Sequence, residues 1–306
     1  MASLRLTWRW ATYFRAPGSY DGAVTQADPP SLRSPQIHGT TLDGVSATTL
    51  WTLHNRGSEA KRSDGLIRDP WAVVLLDTIS YDYLKFGTPN QSHAVRAIAF
   101  DAATRDYLTS HPKASVVALA EGLQTSFWRL DRDGLLAQST WYSIDLEPVM
   151  ELRNRLLPAD DRIVGLAQSA LDRSWMDRVD STEGVFITAE GLLMYLEPEE
   201  ALGLIADCAA RFPGGRMMFD SVPRWFSART LKGVKLSSRY LVPPMPFGQS
   251  VDDAVALADV IPGIRAAHDV RSPRGRGWWR LAAAPVLDRI GPLRRSRPSI
   301  TLLEFG

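Results

Sequence analysis

Cysteine is almost missing from this 306-residue sequence, where Cys208 is the single one. An intrachain disulfide is therefore excluded, and so is a zinc site built on cysteines; the chain is compatible with a reducing cytoplasm. The five histidines are scattered without ligand spacing, so no metal site is expected. No apolar run approaches the roughly 18 residues of a membrane span. There is no internal repeat and no low-complexity tract. Charge of either sign is not in excess: 35 basic and 34 acidic side chains leave a net charge of +1. That balance gives no general attraction to nucleic acid or to membranes. Apolar residues make up 45% and charged residues 23% of the chain, ordinary proportions for a globular protein of one large domain or two small ones.

Two local biases depart from this average. Met1–Tyr20 carries Arg5, Arg9 and Arg15 with no acid, among Trp8, Trp10, Tyr13 and Phe14. It reads as an N-terminal extension, with a transit peptide or interfacial helix as the alternative. Ala27–Pro35, with three prolines, reads as a linker. Arg271–Arg297 sets eight arginines against one acid, Asp288. Three prolines break that run and its aromatics are limited to Trp278 and Trp279, so a solvated surface or an anion-attracting rim is expected and no nucleic-acid partner.

The most informative segment is Ser115–Leu130, SVVALAEGLQTSFWRL. Val116–Ala120 is a short apolar run suited to a central parallel strand. Glu121-Gly122-Leu123-Gln124 makes a turn, and Thr125 stands where it can cap a following helix. Such a loop, outside the carboxyl end of a strand, is where open α/β sheets bind nucleotides. Trp141–Ile144 reads as the next strand, and Asp145 ends it 23 residues after Gly122. An acid at that distance is placed to hold a ribose. The third glycine of a dinucleotide fingerprint is absent, with Thr125 in its place. A carboxylate at Glu121 would also repel a pyrophosphate. S-adenosylmethionine has no phosphate, and its cationic sulfonium and ammonium suit an acidic pocket, so the loop favours it over a nicotinamide dinucleotide.

Residues 45–305 resemble the leucine carboxyl methyltransferase family, which includes bacterial O-methyltransferases of polyketide biosynthesis. Members typically show V-V-x-L-G-x-G-L-D-T, against Val116-Val117-Ala118-Leu119-Ala120-Glu121-Gly122-Leu123-Gln124-Thr125 here. The remaining matches follow in order: Arg68-Asp69-Pro70, Asp145, Ser169-Ala170-Leu171-Asp172 with Trp175, and Ala189-Glu190-Gly191-Leu192-Leu193-Met194-Tyr195-Leu196. Ala120 departs from the usual first glycine, Gln124 from the usual Asp, and Ser126 from a common Arg. The resemblance implies a class I methyltransferase, an α/β Rossmann-like sheet, mostly parallel with a late antiparallel strand, and S-adenosylmethionine as cofactor. It further implies an N-terminal extension and linker over 1–44 and a methyltransferase domain over 45–306. That domain divides into a helical cap (45–112), a cofactor-binding core (113–220), a substrate-side insert after the fifth core strand (221–262) and terminal strands (263–306).

The pattern agrees with this layout. Strand-like runs at 163–166, 185–188 and 216–219 alternate with helices at 147–157 and 197–212, as in a parallel sheet covered on both faces. The helix over 147–157 has Pro148 in its first turn, Val149, Leu152 and Leu156 on one face, and Pro158 as a stop. Leu202, Ile205, Ala209 and Phe212 are read as the buried face of the helix over 197–212. Val95, Ile98 and Ala102 are read as an apolar stripe beside Arg96. Runs at 264–270 and 300–305 are expected to pair late.

For the chemistry, Asp145, with Leu146 beside it, is expected to hold the ribose. Asp172 is expected to accept from adenine, with Ala170 and Leu171 against the ring; a helix cap is the alternative for Asp172. The resemblance implies that Glu190 and Gly191 contact the cofactor and that Arg96 binds the methionine carboxylate, with Arg56 loosely placed near it. Ala120, Glu121, Gly122 and Thr125 complete the expected cofactor site. Tyr195 and His93 are the candidate catalytic residues, with His268 a further candidate by chemistry alone. The acceptor is expected to be a carboxylate or a hydroxyl; no base announces itself, which favours the carboxylate, already ionised at neutral pH. The expected partner is a small-molecule acceptor. A catalytically degenerate binding protein and a nicotinamide-dependent oxidoreductase stay open as alternatives.

Overall fold

The central apolar runs at 115–119, 141–145 and 185–189 become strands because their side chains are buried on both faces, as a covered parallel sheet requires. The protein is seen here in a computed structural model that describes residues 37–38, 42, 44–277 and 290–306. The basic stretch 1–20, the linker 27–35 and the centre of the basic segment, 278–289, lie outside the described residues. Ile37–His38 (β1) and Ile79–Ser80 (β2) form a short parallel pair. The core strands are Ser115–Leu119 (β3), Trp141–Asp145 (β4), Ile163–Ala167 (β5), Val185–Ala189 (β6) and Arg216–Ser221 (β7). Val234–Ser237 (β8) and Tyr240–Val242 (β9) make a hairpin in the insert, and Ile264–Asp269 (β10) and Ser299–Phe305 (β11) are the terminal strands.

One sheet of seven strands runs in the order β10-β11-β7-β6-β3-β4-β5. Pairing is parallel from β5 to β7, whereas β11 inserts antiparallel between β7 and β10. This is the mostly parallel α/β sheet with a late antiparallel strand that the sequence leads one to expect.

The helices are Thr48–Ala60 (α1), Pro70–Thr78 (α2), Ser92–Ser110 (α3), Ser126–Leu130 (α4), Glu147–Leu156 (α5), Pro198–Arg211 (α6), Arg224–Thr230 (α7), Val251–Val255 (α8), Leu257–Val260 (α9) and Gly291–Ser296 (α10). The first three form the cap ahead of the sheet. In α5, Val149, Leu152 and Leu156 are buried as the spacing predicts. Two other faces differ from the reading. Leu202 of α6 is exposed, and the buried face is Ala201, Leu204, Ile205, Cys208 and Ala209. On α3 Ala102 is exposed, and burial falls instead on Ala97, Phe100, Thr104 and Tyr107. In both helices the buried stripe lies one position from the expected one, on Ala201 beside Leu202 and on Ala103 beside Ala102.

Proline and acid start two helices. Pro70 occupies the first turn of α2, and Asp69 accepts from the Ala72 amide at 2.9 Å. Glu200 accepts from the Glu197 amide at 3.1 Å ahead of α6. Among the described residues no helix is long and apolar enough to cross a membrane, and no cluster of His, Cys, Asp or Glu is arranged to hold a metal.

Candidate active site

The carboxyl ends of β3, β4, β5 and β6 open on one cavity of about 720 Å³, walled on its other side by the helical cap and the insert. Four sequence-predicted segments line it: Ala120–Gly122 after β3, Asp145 and Leu146 after β4, Ala170 and Leu171 after β5, and Glu190 and Gly191 after β6. Such convergence is what a doubly wound sheet provides at its carboxyl edge.

The turn after β3 needs unusual backbone. Ala120 takes a φ of +48°, the one non-glycine residue with positive φ among those described, and Gly122 takes +58°. A Cβ on Gly122 would lie 2.5 Å from Thr49 Oγ1. That approach has a purpose, since Thr49 Oγ1 accepts from the Leu123 amide at 2.7 Å and ties α1 to the loop. Two buried arginines hold the same loop by its carbonyls. Arg56 of α1 donates to Leu123 O at 2.6 Å, and Arg153 of α5 donates to Gly122 O at 2.6 Å and Gln124 O at 2.9 Å.

Arg153 also corrects the reading of Glu121. Its Nη2 lies 2.8 Å from Glu121 Oε2, with both side chains almost fully buried. The Glu121 charge is therefore met within the protein, and the contrast drawn between a pyrophosphate and a sulfonium does not rest on this residue. Burial pushes the Glu121 carboxyl above its ordinary range, with Arg153 opposing.

Besides Glu121, the acids that line the cavity are Asp145, Glu190 and Asp220. Asp145 accepts from the Gly122 amide at 2.6 Å and from its neighbour Leu146 at 2.7 Å. Burial raises its pKa against those two bonds. Glu190 Oε1 accepts from Arg96 Nε at 2.9 Å and from Gln124 Nε2 at 2.7 Å. Gln124 is thus a donor to Glu190, where an Asp would have set two carboxylates together. Asp220 closes the group, accepting from Arg96 Nη1 at 2.9 Å and from the Gly191 amide at 2.6 Å. Arg96 Nη2 lies over Gly191, 3.2 Å from where a Cβ would stand. The two carboxylates outweigh the cost of burial and keep Arg96 more firmly charged than an ordinary arginine.

Two predicted cofactor residues are elsewhere. Thr125 is fully buried, and its hydroxyl meets Asp69, at 2.7 Å from Oδ1 and 2.6 Å from Oδ2, so it does not line the cavity. Asp69 also receives Arg56 Nε at 2.9 Å and Arg129 Nη1 at 2.8 Å. Asp172 is outside the cavity lining, and it accepts from the Ser174 amide at 3.1 Å as the cap of the short helical turn that follows. Arg56 is likewise outside, buried under the loop with Nη1 unpartnered. His268 sits on β10 beside Glu304, away from the cavity.

The far end of the cavity is walled by Trp51, His93, Met194, Tyr195, Val222, Phe226 and Met245. His93 Nδ1 faces Asn55 Nδ2 at 2.8 Å, and the ring meets Trp51 edge-on with centroids 5.2 Å apart. Burial, then Arg96 and Arg56, hold the imidazole well below its ordinary pKa. Burial pushes the Tyr195 phenol up to about 12. Neither group is poised as a base at neutral pH.

The basic segment flanks this cavity through Arg271, Ser272, Pro273 and Gly275. Four of its described arginines meet the protein's own acids: Arg276 pairs with Glu59, Arg294 and Arg295 with Asp252, and Arg297 with Asp269.

Asp220, Asn55, Thr49 and Arg153 escaped the sequence reading. Asp220 carried a signal, since it is an acid near the carboxyl end of a core strand, as Asp145 is. Arg153 carried a weaker one, a charge on the buried face of α5.

The profile of the family "Leucine carboxyl methyltransferase" matches residues 49–209. The tetracenomycin polyketide synthesis O-methyltransferase TcmP of Streptomyces glaucescens is 30% identical over 259 residues, covering 83% of this chain and 89% of its own. A protein of Mycolicibacterium smegmatis named "Putative S-adenosyl-L-methionine-dependent methyltransferase" is 24% identical over 309 residues, covering 90% and 94%. Among solved structures, a "putative methyltransferase from Thermobifida fusca YX" superposes with a TM-score of 0.51 at 13% identity, covering 82% of this chain and 94% of that one. This last likeness speaks to the fold alone.

Proposed function

This chain belongs to the leucine carboxyl methyltransferase family and is an S-adenosylmethionine-dependent O-methyltransferase, and we propose that it methylates a small, aromatic, polyketide-like carboxylic acid. The cofactor supplies a methyl group on a sulfonium, which an acceptor oxygen attacks with its lone pair while the carbon–sulfur bonding pair returns to sulfur.

The residues around the cavity suit that cofactor. Asp145 keeps lone pairs beyond its two amide bonds and serves the ribose hydroxyls. Ala170 and Leu171 offer an apolar wall for adenine. Arg96, whose Nη2 lies over Gly191 on the cavity lining, is suited to a carboxylate, while Glu190 and Asp220 bring negative charge for the ammonium. Gly122 lets Thr49 of α1 close on the loop, where a Cβ would lie 2.5 Å from its hydroxyl, and so holds the loop in place beneath the cavity.

The observation that carries the acceptor class is the state of the cavity's proton-accepting groups. Glu190 and Asp220 are paired with Arg96, His93 has its Nδ1 on Asn55, and the Tyr195 phenol is raised. A carboxylate needs no base, whereas an alcohol does. The wall of Trp51, Tyr195, Phe226 and Met245 suits a flat aromatic body. The work left to the protein is alignment and exclusion of water. A cytoplasmic setting belongs to the same proposal, supported by the lone, buried Cys208.

The test is methyl transfer from tritiated S-adenosylmethionine to 2-naphthoic acid and to 2-naphthol, with calorimetric titration of S-adenosylhomocysteine alongside. Methylation of the acid alone is expected. Methylation of the naphthol alone would overturn the carboxylate assignment, and absence of S-adenosylhomocysteine binding would favour a degenerate fold.

A further inference from the structure

We propose that His93 is a hydrogen-bond donor to the acceptor substrate, its Nε2–H directed at an oxygen lone pair beside the oxygen that is methylated, and that it is not a base. The inference rests on the methyltransferase reading of the cavity.

The Asn90 backbone amide donates to Asn55 Oδ1 at 2.8 Å. A backbone N–H needs an acceptor, so this bond fixes which way the Asn55 amide is turned. Asn55 Nδ2 then faces His93 Nδ1 at 2.8 Å and must donate to it. Nδ1 therefore presents its lone pair to Asn55, and in a neutral ring the proton resides on Nε2. A protonated ring would set an Nδ1–H against an NH₂ group, two donors facing each other. It would also add charge near Arg96 and Arg56, which already disfavour it.

The remaining edge of the ring belongs to the cavity. His93 lines it, and Nε2 has no hydrogen-bond partner among the described residues, nor is it sealed from solvent as the buried unpartnered atoms are. Trp51, edge-on to the imidazole, limits its rotation. The result is a donor held in one direction, on the wall where Tyr195 and Phe226 receive the acceptor. For His93 to take a proton instead, the Asn55 amide would have to turn over and lose the Asn90 bond. A donor at this place favours a carboxylate, whose second oxygen accepts from Nε2–H while the first attacks. It discriminates against acceptors that present only N–H groups there.

Two measurements test this. In long-range ¹⁵N–¹H spectra of histidine-labelled protein at pH 7, His93 is expected in the neutral Nε2–H form. Asn55→Leu should convert it to a mixture. An Nδ1–H or charged ring in the wild type would overturn the proposal. Binding of 2-naphthoate in the presence of S-adenosylhomocysteine is the second. His93→Phe should weaken it tenfold or more, and His93→Gln, whose amide restores a donor near the Nε2 position, should recover most of that loss. Equal binding by wild type and His93→Phe, no recovery in His93→Gln, or no naphthoate binding by the S-adenosylhomocysteine-loaded wild type would overturn it. Failure of the wild type to bind S-adenosylhomocysteine would instead sink the methyltransferase reading and leave the tautomer result standing.

Discussion

Replacing Ala120 by glycine is expected to stabilise this protein, an unusual outcome for a change that deletes a methyl group. Ala120 follows the last residue of β3 with φ at +48°. An L-residue in the left-handed region costs about 1–2 kcal/mol, because Cβ crowds the following carbonyl. Glycine removes that cost but adds about 0.5–1 kcal/mol of chain entropy to the unfolded state. The difference leaves Ala120→Gly more stable by roughly 0.5–1 kcal/mol. Little packing is lost, since Ala120 is half-buried on the cavity wall. Urea unfolding followed by tryptophan fluorescence measures the stability, and calorimetric titration of S-adenosylhomocysteine measures the site. Affinity should hold or improve, because the methyl lines the cavity proposed to hold the cofactor. A mutant destabilised by more than about 1 kcal/mol would mean that Ala120 is not left-handed in the wild type. A mutant of sound stability that binds distinctly worse would mean that the alanine methyl is a contact, and the account of the loop would fail.

Asp145→Ala should weaken S-adenosylhomocysteine binding by about 1.5–3 kcal/mol, the worth of a hydrogen bond to a charged group, with far-ultraviolet dichroism unchanged; unaltered affinity would remove Asp145 from the ribose. Arg96→Lys should lower affinity by losing the planar fork, and Arg96→Ala should also lose about 3–5 kcal/mol of stability, because it leaves Glu190 and Asp220 buried without their cation; a thermal midpoint unchanged in Arg96→Ala would show that the ion pairs are not formed. Asp69 is ionised in spite of burial, since Arg129, Arg56 and Thr125 together hold its pKa below the usual range. A folded pKa below the unfolded one gives stability that is present above about pH 4 and is lost as pH falls through the folded value. Asp69→Asn should therefore lower stability at pH 7 and flatten its acid limb; an acid limb as steep as the wild type's would exclude Asp69 as its source.

The parts of this fold and site that were legible in the sequence are those whose cause is local. β3, β4 and β6 announced themselves because an apolar run between turn residues has few other uses, and their ends slipped by a residue or so. Asp145 and Glu190 were legible because an acid at the carboxyl end of a core strand opens on the crevice of the sheet. Asp220 obeys the same rule and was missed because the strand was ended at Phe219, two residues short. The capping alternative for Asp172 was legible too, its partner Ser174 being two residues away. Thr125 and Glu121 failed for a common reason. Each was given the ligand as its partner on grounds of position, but Thr125 meets Asp69, 56 residues upstream, and Glu121 meets Arg153 on α5. A polar group beside a cavity has two ways to be satisfied, and only tertiary structure says which is used. The same ambiguity bears on His93. Its chemistry alone suggested a base, and nothing near it in the sequence says otherwise. What assigns it the opposite role is Asn55, 38 residues away, whose own orientation is fixed by the Asn90 amide. A candidate catalytic residue is thus defined less by its type than by the group behind it, and that group comes from another helix.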